Sequence, residues 1–268
     1  MTKEQILAEY KKQEDKLTLS QILDKIEFAK RRGKIENSDF LDMYQIALVK
    51  NFLRKIDYTS YDFYGGYEDA ERNIIKVYEK NDISEQEKEA NNKELLKIIR
   101  INLKEEDKGK FSHRNYLGGI VKLGIKREKV GDILVSDDGA DIIVKTEIAE
   151  SLKNDMYKLT RFQNAVIEIK EIEELRKVET KVENISIIVP SLRLDNIVSD
   201  LARTSRSKAN EIISQERVFV NGQNATKPSK NVKLNDVITI RGKGRFIVKE
   251  FTGTTRSGRT VVLIEKYQ

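Results

Sequence analysis

The sequence predicts an α+β chain in three parts. These are a mostly helical N-terminal domain (1–80), a βαββαβ middle domain (81–172) and a small two-helix and hairpin domain (185–268), the last joined by a charged linker (173–184). Three observations carry that expectation. Apolar residues recur at helical spacing up to Leu53, short β-rich runs alternate with two helical stripes through the middle, and two short amphipathic helices precede an Asn-Gly turn. The length of 268 residues independently suits two or three domains.

In the first domain Leu19, Ile22, Leu23, Ile26 and Ala29 make one apolar stripe. Thr18 with Gln21 reads as a capping box at its start, and Lys30-Arg31-Arg32 before Gly33 as its C-terminus. A second amphipathic stretch runs from Leu41 to Leu53. Tyr58 to Tyr67 alternates aromatic and polar residues and breaks at Gly65-Gly66, as a strand entering a tight turn does.

The middle domain opens on a β-rich run, Lys97 to Leu103. Ser112 is placed to cap a helix carrying Tyr116, Leu117, Ile120 and Val121, with Gly124 beyond its end. Strands at Asp132–Val135 and Asp141–Val144 flank the turn Asp137-Asp138-Gly139. A helix from Thr146 carries Ile148, Leu152, Met156 and Leu159, and Ala165–Ile169 is a last strand. This order is that of a ferredoxin-like or RRM-like sheet with two helices on one face.

In the C-terminal domain Leu194, Ile197, Val198 and Leu201 occupy i, i+3, i+4 and i+7 of a first helix. Ala209, Ile212 and Ile213 stripe a second, with Ser205 as its cap. Val218-Phe219-Val220-Asn221-Gly222 is a hairpin, and Val237 to Ile240 a strand leading into Arg241-Gly242-Lys243-Gly244-Arg245. This succession resembles the S4 RNA-binding domain, which implies docking on folded RNA.

Charge agrees with that destination. Residues 183–268 hold 7 Lys and 8 Arg against 8 acidic residues, a net of +7, while residues 1–182 hold 35 basic and 36 acidic residues, a net of −1. A basic excess confined to one end points to a polyanionic partner there. With no Cys and a single His, the chain offers no disulfide framework, no thiolate zinc site, no Cys nucleophile and no ready Ser-His-Asp triad. No metal, cofactor or catalytic residue is expected. No apolar run approaches a membrane span, and Met1-Thr2-Lys3-Glu4 does not open a signal peptide, so a cytoplasmic location is expected.

The residues proposed from sequence to meet RNA are Arg193, Arg203, Ser205, Arg206, Ser207 and Lys208 around the two helix starts, with Arg217, Asn221, Arg241, Lys243 and Arg245 on the turns beyond. Arginine and lysine supply charge, hydroxyls and helix-start amides donate to phosphate oxygens, and glycines let the backbone come close. His113, Arg114, Lys126, Arg127 and Lys129 in the middle domain form a secondary set. No aromatic-rich RNP pattern lies on the middle strands, so base stacking of the RRM kind is not expected. Tyr64-Gly65-Gly66-Tyr67 with Glu71-Arg72 reads either as a packed turn or as an interaction surface. The loop Thr252 to Arg259 is a further Arg-bearing turn, for which a solvated hairpin is the equally weighted alternative.

With these motifs in view, the whole chain resembles the YlmH family of bacterial S4-domain RNA-binding proteins. The resemblance rests on Ser38-Asp39-Phe40-Leu41-Asp42, on Tyr64-Gly65-Gly66-Tyr67 with Ala70-Glu71-Arg72, and on His113-Arg114-Asn115-Tyr116-Leu117-Gly118. It continues in Leu123 to Ile133 and in Arg241 to Phe246 with Gly253 and Gly258-Arg259. Met43 and Asn115 depart from residues common in the family, Pro and Asp respectively. The resemblance implies an RNA-binding factor of the large ribosomal subunit, acting as a monomer on rRNA and tRNA in ribosome-associated quality control. The competing enzyme reading is an S4-fused pseudouridine synthase, because Arg193-Leu194-Asp195 echoes a catalytic tripeptide. Here it runs into Asn196-Ile197-Val198 rather than a Thr-Ser-Gly turn, and no Gly-rich loop suits a methyltransferase cofactor. A scaffold binding proteins through its charge-balanced N-terminal part is a third reading, compatible with the first.

Overall fold

A computed structural model describes residues 3–79, 83–176 and 182–267. The chain divides into two compact units, Met1–Val178 and Glu179–Gln268.

The first unit contains α1 (Lys3–Leu7), α2 (Gln13–Arg32), β1 (Glu36–Leu41), α3 (Met43–Lys55), β2 (Tyr61–Tyr64) and β3 (Asn73–Val77). After α4 (Glu85–Leu95) come β4 (Leu96–Asn102), α5 (His113–Lys122), β5 (Val130–Ser136), β6 (Gly139–Lys145), α6 (Thr146–Met156) and β7 (Val166–Glu171). Two antiparallel sheets result, β1-β3-β2 and β5-β6-β4-β7.

In residues 3–79 the helices α1–α3 make up most of the regular structure, and a three-stranded sheet accompanies them. Its strands bury Phe40, Leu41, Ile74, Ile75 and Val77, so the sheet shares the local core with the helices. The apolar stripe of α2 packs as the sequence predicts, and Gly33, at φ 60, ends the helix by donating its N–H to Ala29 O. Its beginning differs. The helix starts at Gln13, so Thr18 lies inside it and its hydroxyl donates back to Glu14 O at 3.0 Å. Asp42 caps α3 in a capping box with Gln45, a signal the sequence carried one residue past the expected start.

The order β4-α5-β5-β6-α6-β7 matches the expected βαββαβ, with the sheet order 2-3-1-4 of a split βαβ unit. Ser112 caps α5, with Asn115 Oδ1 accepting from its N–H at 2.9 Å. The central strands are buried on both faces. Ile99, Ile101, Ile142 and Val144 pack with Tyr116, Ile120, Leu152 and Met156 of α5 and α6. On the opposite face Leu96, Ile98 and Ile143 pack with Phe40 and Ile74 of the N-terminal sheet. The unit is thus four layers: α2 and α3, the first sheet, the second sheet, then α5 and α6. Gly131 is needed where the sheets meet, because a Cβ there would lie 2.8 Å from the Phe40 ring.

This layering joins the N-terminal and middle regions, expected to be separate, into one unit. A three-stranded sheet carrying helices on one face still has a second apolar face to bury, and the middle sheet supplies the cover.

The second unit contains β8 (Val182–Val189), α7 (Leu194–Leu201), α8 (Arg206–Ser214), β9 (Val218–Val220), β10 (Gln223–Asn224), β11 (Val237–Ile240), β12 (Gly244–Thr254) and β13 (Thr260–Tyr267). Its sheet has the order β10-β9-β11-β12-β13-β8 and packs against both helices through Leu194, Ile197, Val198, Ala209 and Ile213. The end of the expected linker is structured: residues from Val182 belong to β8, which pairs antiparallel with β13 from Tyr267 to Thr260. Its residues 177–181 lie outside the described set, and Ile172–Glu174 is a 3-10 turn.

Candidate nucleic-acid interface

The apolar stripes that seat α7 and α8 on the sheet leave the two helix starts at the surface. Arg193 precedes α7 and Arg206 opens α8, and Asp195 holds them together. Its carboxylate is 1% exposed and accepts from Arg193 Nε and Nη2 at 3.1 and 2.7 Å, and from Arg206 Nε and Nη2 at 3.1 and 2.9 Å. Hydrogen bonds from Arg193, reinforced by Arg206, hold the carboxyl below its ordinary value against the opposing effect of burial. The arginine side chains remain 37% and 54% exposed. One buried acid thus orients two outward guanidiniums and leaves one net positive charge.

Ser205 caps α8 by accepting from Lys208 N at 3.2 Å, which occupies its hydroxyl oxygen but leaves its proton for a ligand. Arg203, Ser205, Arg206, Ser207 and Lys208 are all exposed. Lys208 is paired with Glu211 at 2.8 Å, a contact that a phosphate must displace or share. The first amides of α7 are not open to a ligand, because Leu194 and Asp195 donate to Lys230 O and Pro228 O at 2.8 and 2.9 Å.

A second basic group lies at the far end of α8, about 13 Å away by the helix rise. Arg217 Nη2 donates to Arg241 O at 3.2 Å, and Arg241 N to Arg217 O at 2.9 Å, which binds the two loops together. The Arg241 guanidinium lies over the Phe219 ring at 5.1 Å, and Arg245 lies over Tyr267 at the same distance. Lys243 sits exposed on the turn between β11 and β12. The ring contacts steady both guanidiniums; Arg241 is exposed and can reach a base or phosphate, whereas Arg245 is half-buried.

Asn221 serves the fold. At φ 52 it takes the left-handed turn position, donates to Asp236 Oδ1 at 2.8 Å and accepts from Val237 N at 2.8 Å. Both polar ends of the side chain are engaged within the hairpin.

The secondary set divides. His113 and Arg114 open α5 at the surface, and Lys126 is 75% exposed. Desolvation, with the nearby Arg127 charge, holds the His113 imidazole below its usual value. Arg127 and Lys129 instead face inward to the junction of the two sheets. Arg127 donates to Val130 O and Gly131 O, and burial, with Arg72 beside it, lowers its guanidinium to about 10. Lys129 pairs with Asp39 and Glu147, both at 2.7 Å. Desolvation would raise Asp39, but Lys129 and Lys145 outweigh it and hold the carboxyl low.

At that junction the Tyr64–Tyr67 turn is a packed one. Tyr67 Oη and the amides of Glu71 and Arg72 donate to Asp132 at 2.8, 2.7 and 3.1 Å. Arg72 then donates to Val130 O, Phe40 O and Arg127 O at 3.0, 3.2 and 3.3 Å. The motifs of the N-terminal and middle regions are two halves of one network. Sequence reasoning missed this role for Asp132 and the anchoring role of Asp195; an acid two residues after Arg193 was the available signal for Asp195, and no local signal marks Asp132. The middle sheet face on which an RRM stacks bases is covered by Phe40 and Ile74.

Fold and surface together define an S4-domain protein, with a basic helix pair on a small sheet and a separate two-sheet unit before it. The chain carries a YlmH-type RNA-binding domain followed by an S4 domain. The family model described as "Putative RNA-binding domain in YlmH" matches residues 95–186, and the S4 domain model matches residues 192–238. The chain is 26% identical to "Ribosome-associated protein quality control protein P2" of Bacillus subtilis, over 95% of this chain and 96% of that one. Small ribosomal subunit protein uS4 of Clostridium tetani is 38% identical over 68 residues, 25% of this chain and 32% of that protein. Among solved structures, "Cell division protein ylmH from Streptococcus pneumoniae" aligns at a TM-score of 0.47 and 18% identity, covering 62% of this chain and 98% of that one.

Proposed function

We propose that this protein is a non-enzymatic RNA-binding factor that acts on the large ribosomal subunit, touching rRNA and tRNA, in ribosome-associated quality control. The observation that carries the RNA contact is the Asp195-held pair of Arg193 and Arg206 at the helix starts of the S4 domain. Ser207, Lys208 and Arg203 flank that pair, and Arg217, Arg241 and Lys243 extend the basic surface along α8. Similarity to the Bacillus subtilis quality-control protein along nearly the whole chain supports the ribosomal setting. The uS4 match covers too little of that protein to argue for the small subunit.

The position of Asp195 counts against the pseudouridine synthase reading. A carboxylate 1% exposed and gripped by two arginines is poorly placed to attack a base. The protein binds as a monomer in this reading and needs neither a cofactor nor a metal. In-cell crosslinking to RNA, with sequencing of the bound fragments, tests the proposal. Signal concentrated on large-subunit rRNA and tRNA is expected. Signal at one narrow position, with a base modification lost on gene deletion, would overturn it in favour of an enzyme; diffuse signal would refute the ribosomal assignment.

A further inference from the structure

We infer that the tip of the β12–β13 hairpin is a second RNA contact, one that grips the sugar–phosphate surface of double-stranded RNA. The inference rests on the RNA-binding reading above but concerns a part of the chain beyond both matched family segments, which end at residue 238. The two strands pair from Arg245↔Tyr267 out to Thr254↔Thr260. Phe246, Val248, Val262 and Ile264 are buried in the core, and Phe251 packs against it. Beyond Phe251 the hairpin leaves the core: Thr252, Gly253 and Thr254 are exposed, as are Arg256 to Arg259. Three further strand residues carry the turn about 10 Å outward.

The turn is built to hold its shape. Thr255 N donates to Arg259 O at 2.8 Å, Gly258 N to Thr255 O at 2.9 Å, and Arg259 N to Thr255 Oγ1 at 3.1 Å. Gly258 takes φ 76, and a Cβ on it or on Gly253 would meet no atom within 4 Å, so open space surrounds the arm. Arg256 and Arg259 make no ion pair with the described residues.

The chemistry of the arm narrows the partner. From Phe251 to Ile264 there is no acidic residue, while two arginines and the hydroxyls of Thr252, Thr254, Thr255, Ser257 and Thr260 are present. Arginines bind phosphate, and small hydroxyl side chains exchange hydrogen bonds with phosphate oxygens and 2′-hydroxyls. The RNA minor groove is wide and shallow and displays 2′-hydroxyls, which a blunt polar turn can reach. Single-stranded recognition would need stacking aromatics, and none lies beyond Phe251 on the tip. A protein partner would need an apolar anchor, which the tip also lacks.

Because the chain contains no Cys, Ser257→Cys creates a unique attachment site for a tethered iron chelate that cleaves nearby backbone. The full-length protein is bound to purified large ribosomal subunits carrying tRNA. Ser207→Cys at the start of α8 and Glu89→Cys on the exposed face of α4 serve as reference positions. Cleavage of a paired rRNA or tRNA stem from position 257, distinct from that of position 207, is expected. Arg256→Ala with Arg259→Ala should also lower the log–log salt slope of binding by about 0.7–0.9 per arginine. Cleavage from 207 but not from 257 would overturn the inference and leave the RNA-binding reading standing. Cleavage from 257 confined to a ribosomal protein would reassign the tip to protein and overturn it equally. Failure of every derivative and of the unmodified protein to bind would remove both readings.

Discussion

Removing the arginines of the S4 helix pair by themselves would strand Asp195, since a buried charge that loses its partners costs about 3–5 kcal/mol. The informative perturbation neutralises all three residues together: Arg193→Gln, Asp195→Asn and Arg206→Gln. That triple variant keeps side-chain bulk and hydrogen-bonding capacity while removing two cations and one anion. Each lost phosphate contact should flatten the log–log salt slope by about 0.7–0.9, so two contacts remove about 1.6. Across a fourfold rise in salt, from about 50 to 200 mM, the wild type should therefore lose roughly tenfold more affinity than the triple variant. Asp195→Asn alone keeps both cations, so its slope should stay at least as steep as the wild type even if its binding weakens through lost orientation. The assay is titration of fluorescently labelled protein with large ribosomal subunits at four salt concentrations, with circular dichroism to establish folding. A folded triple variant with the wild-type slope would refute the assignment of Arg193 and Arg206 to RNA phosphates.

Three further outcomes follow from the geometry. Arg72→Ala should destabilise the first unit by about 3 kcal/mol in urea unfolding, because the carbonyls of Val130, Phe40 and Arg127 lose a buried partner; Arg72→Lys should not rescue it, since an ammonium lacks the fork. Asn221→Ala should cost the second unit about 2 kcal/mol, from two lost hydrogen bonds and a positive φ, while the folded fraction keeps wild-type RNA affinity. Asp195 titrates below its ordinary value, so its contribution is complete above the unfolded carboxylate value near 4 and is lost as pH falls through the lower folded value. The unfolding free energies of wild type and Asp195→Asn should thus run parallel from about pH 7 to 5 and converge below about pH 4.

Features under short-range control are legible in the order of residues alone. The stripes of α2, α7 and α8, the caps at Gly33, Ser112 and Ser205, the βαββαβ order and the hairpin at Asn221-Gly222 are legible because spacing and backbone preference act within a few residues. The concentration of positive charge in the last third needs only counting. Which polar residues face solvent and which are consumed depends on long-range packing. The strands Glu36–Leu41 and Asn73–Val77 pair across more than thirty residues of chain, and their mixed polar pattern shows no clean alternation, so they were invisible locally. Arg127 and Arg206 look alike in sequence. Burial beside backbone carbonyls turned the first inward, while a buried carboxylate held the second outward, and only long-range packing sets that difference.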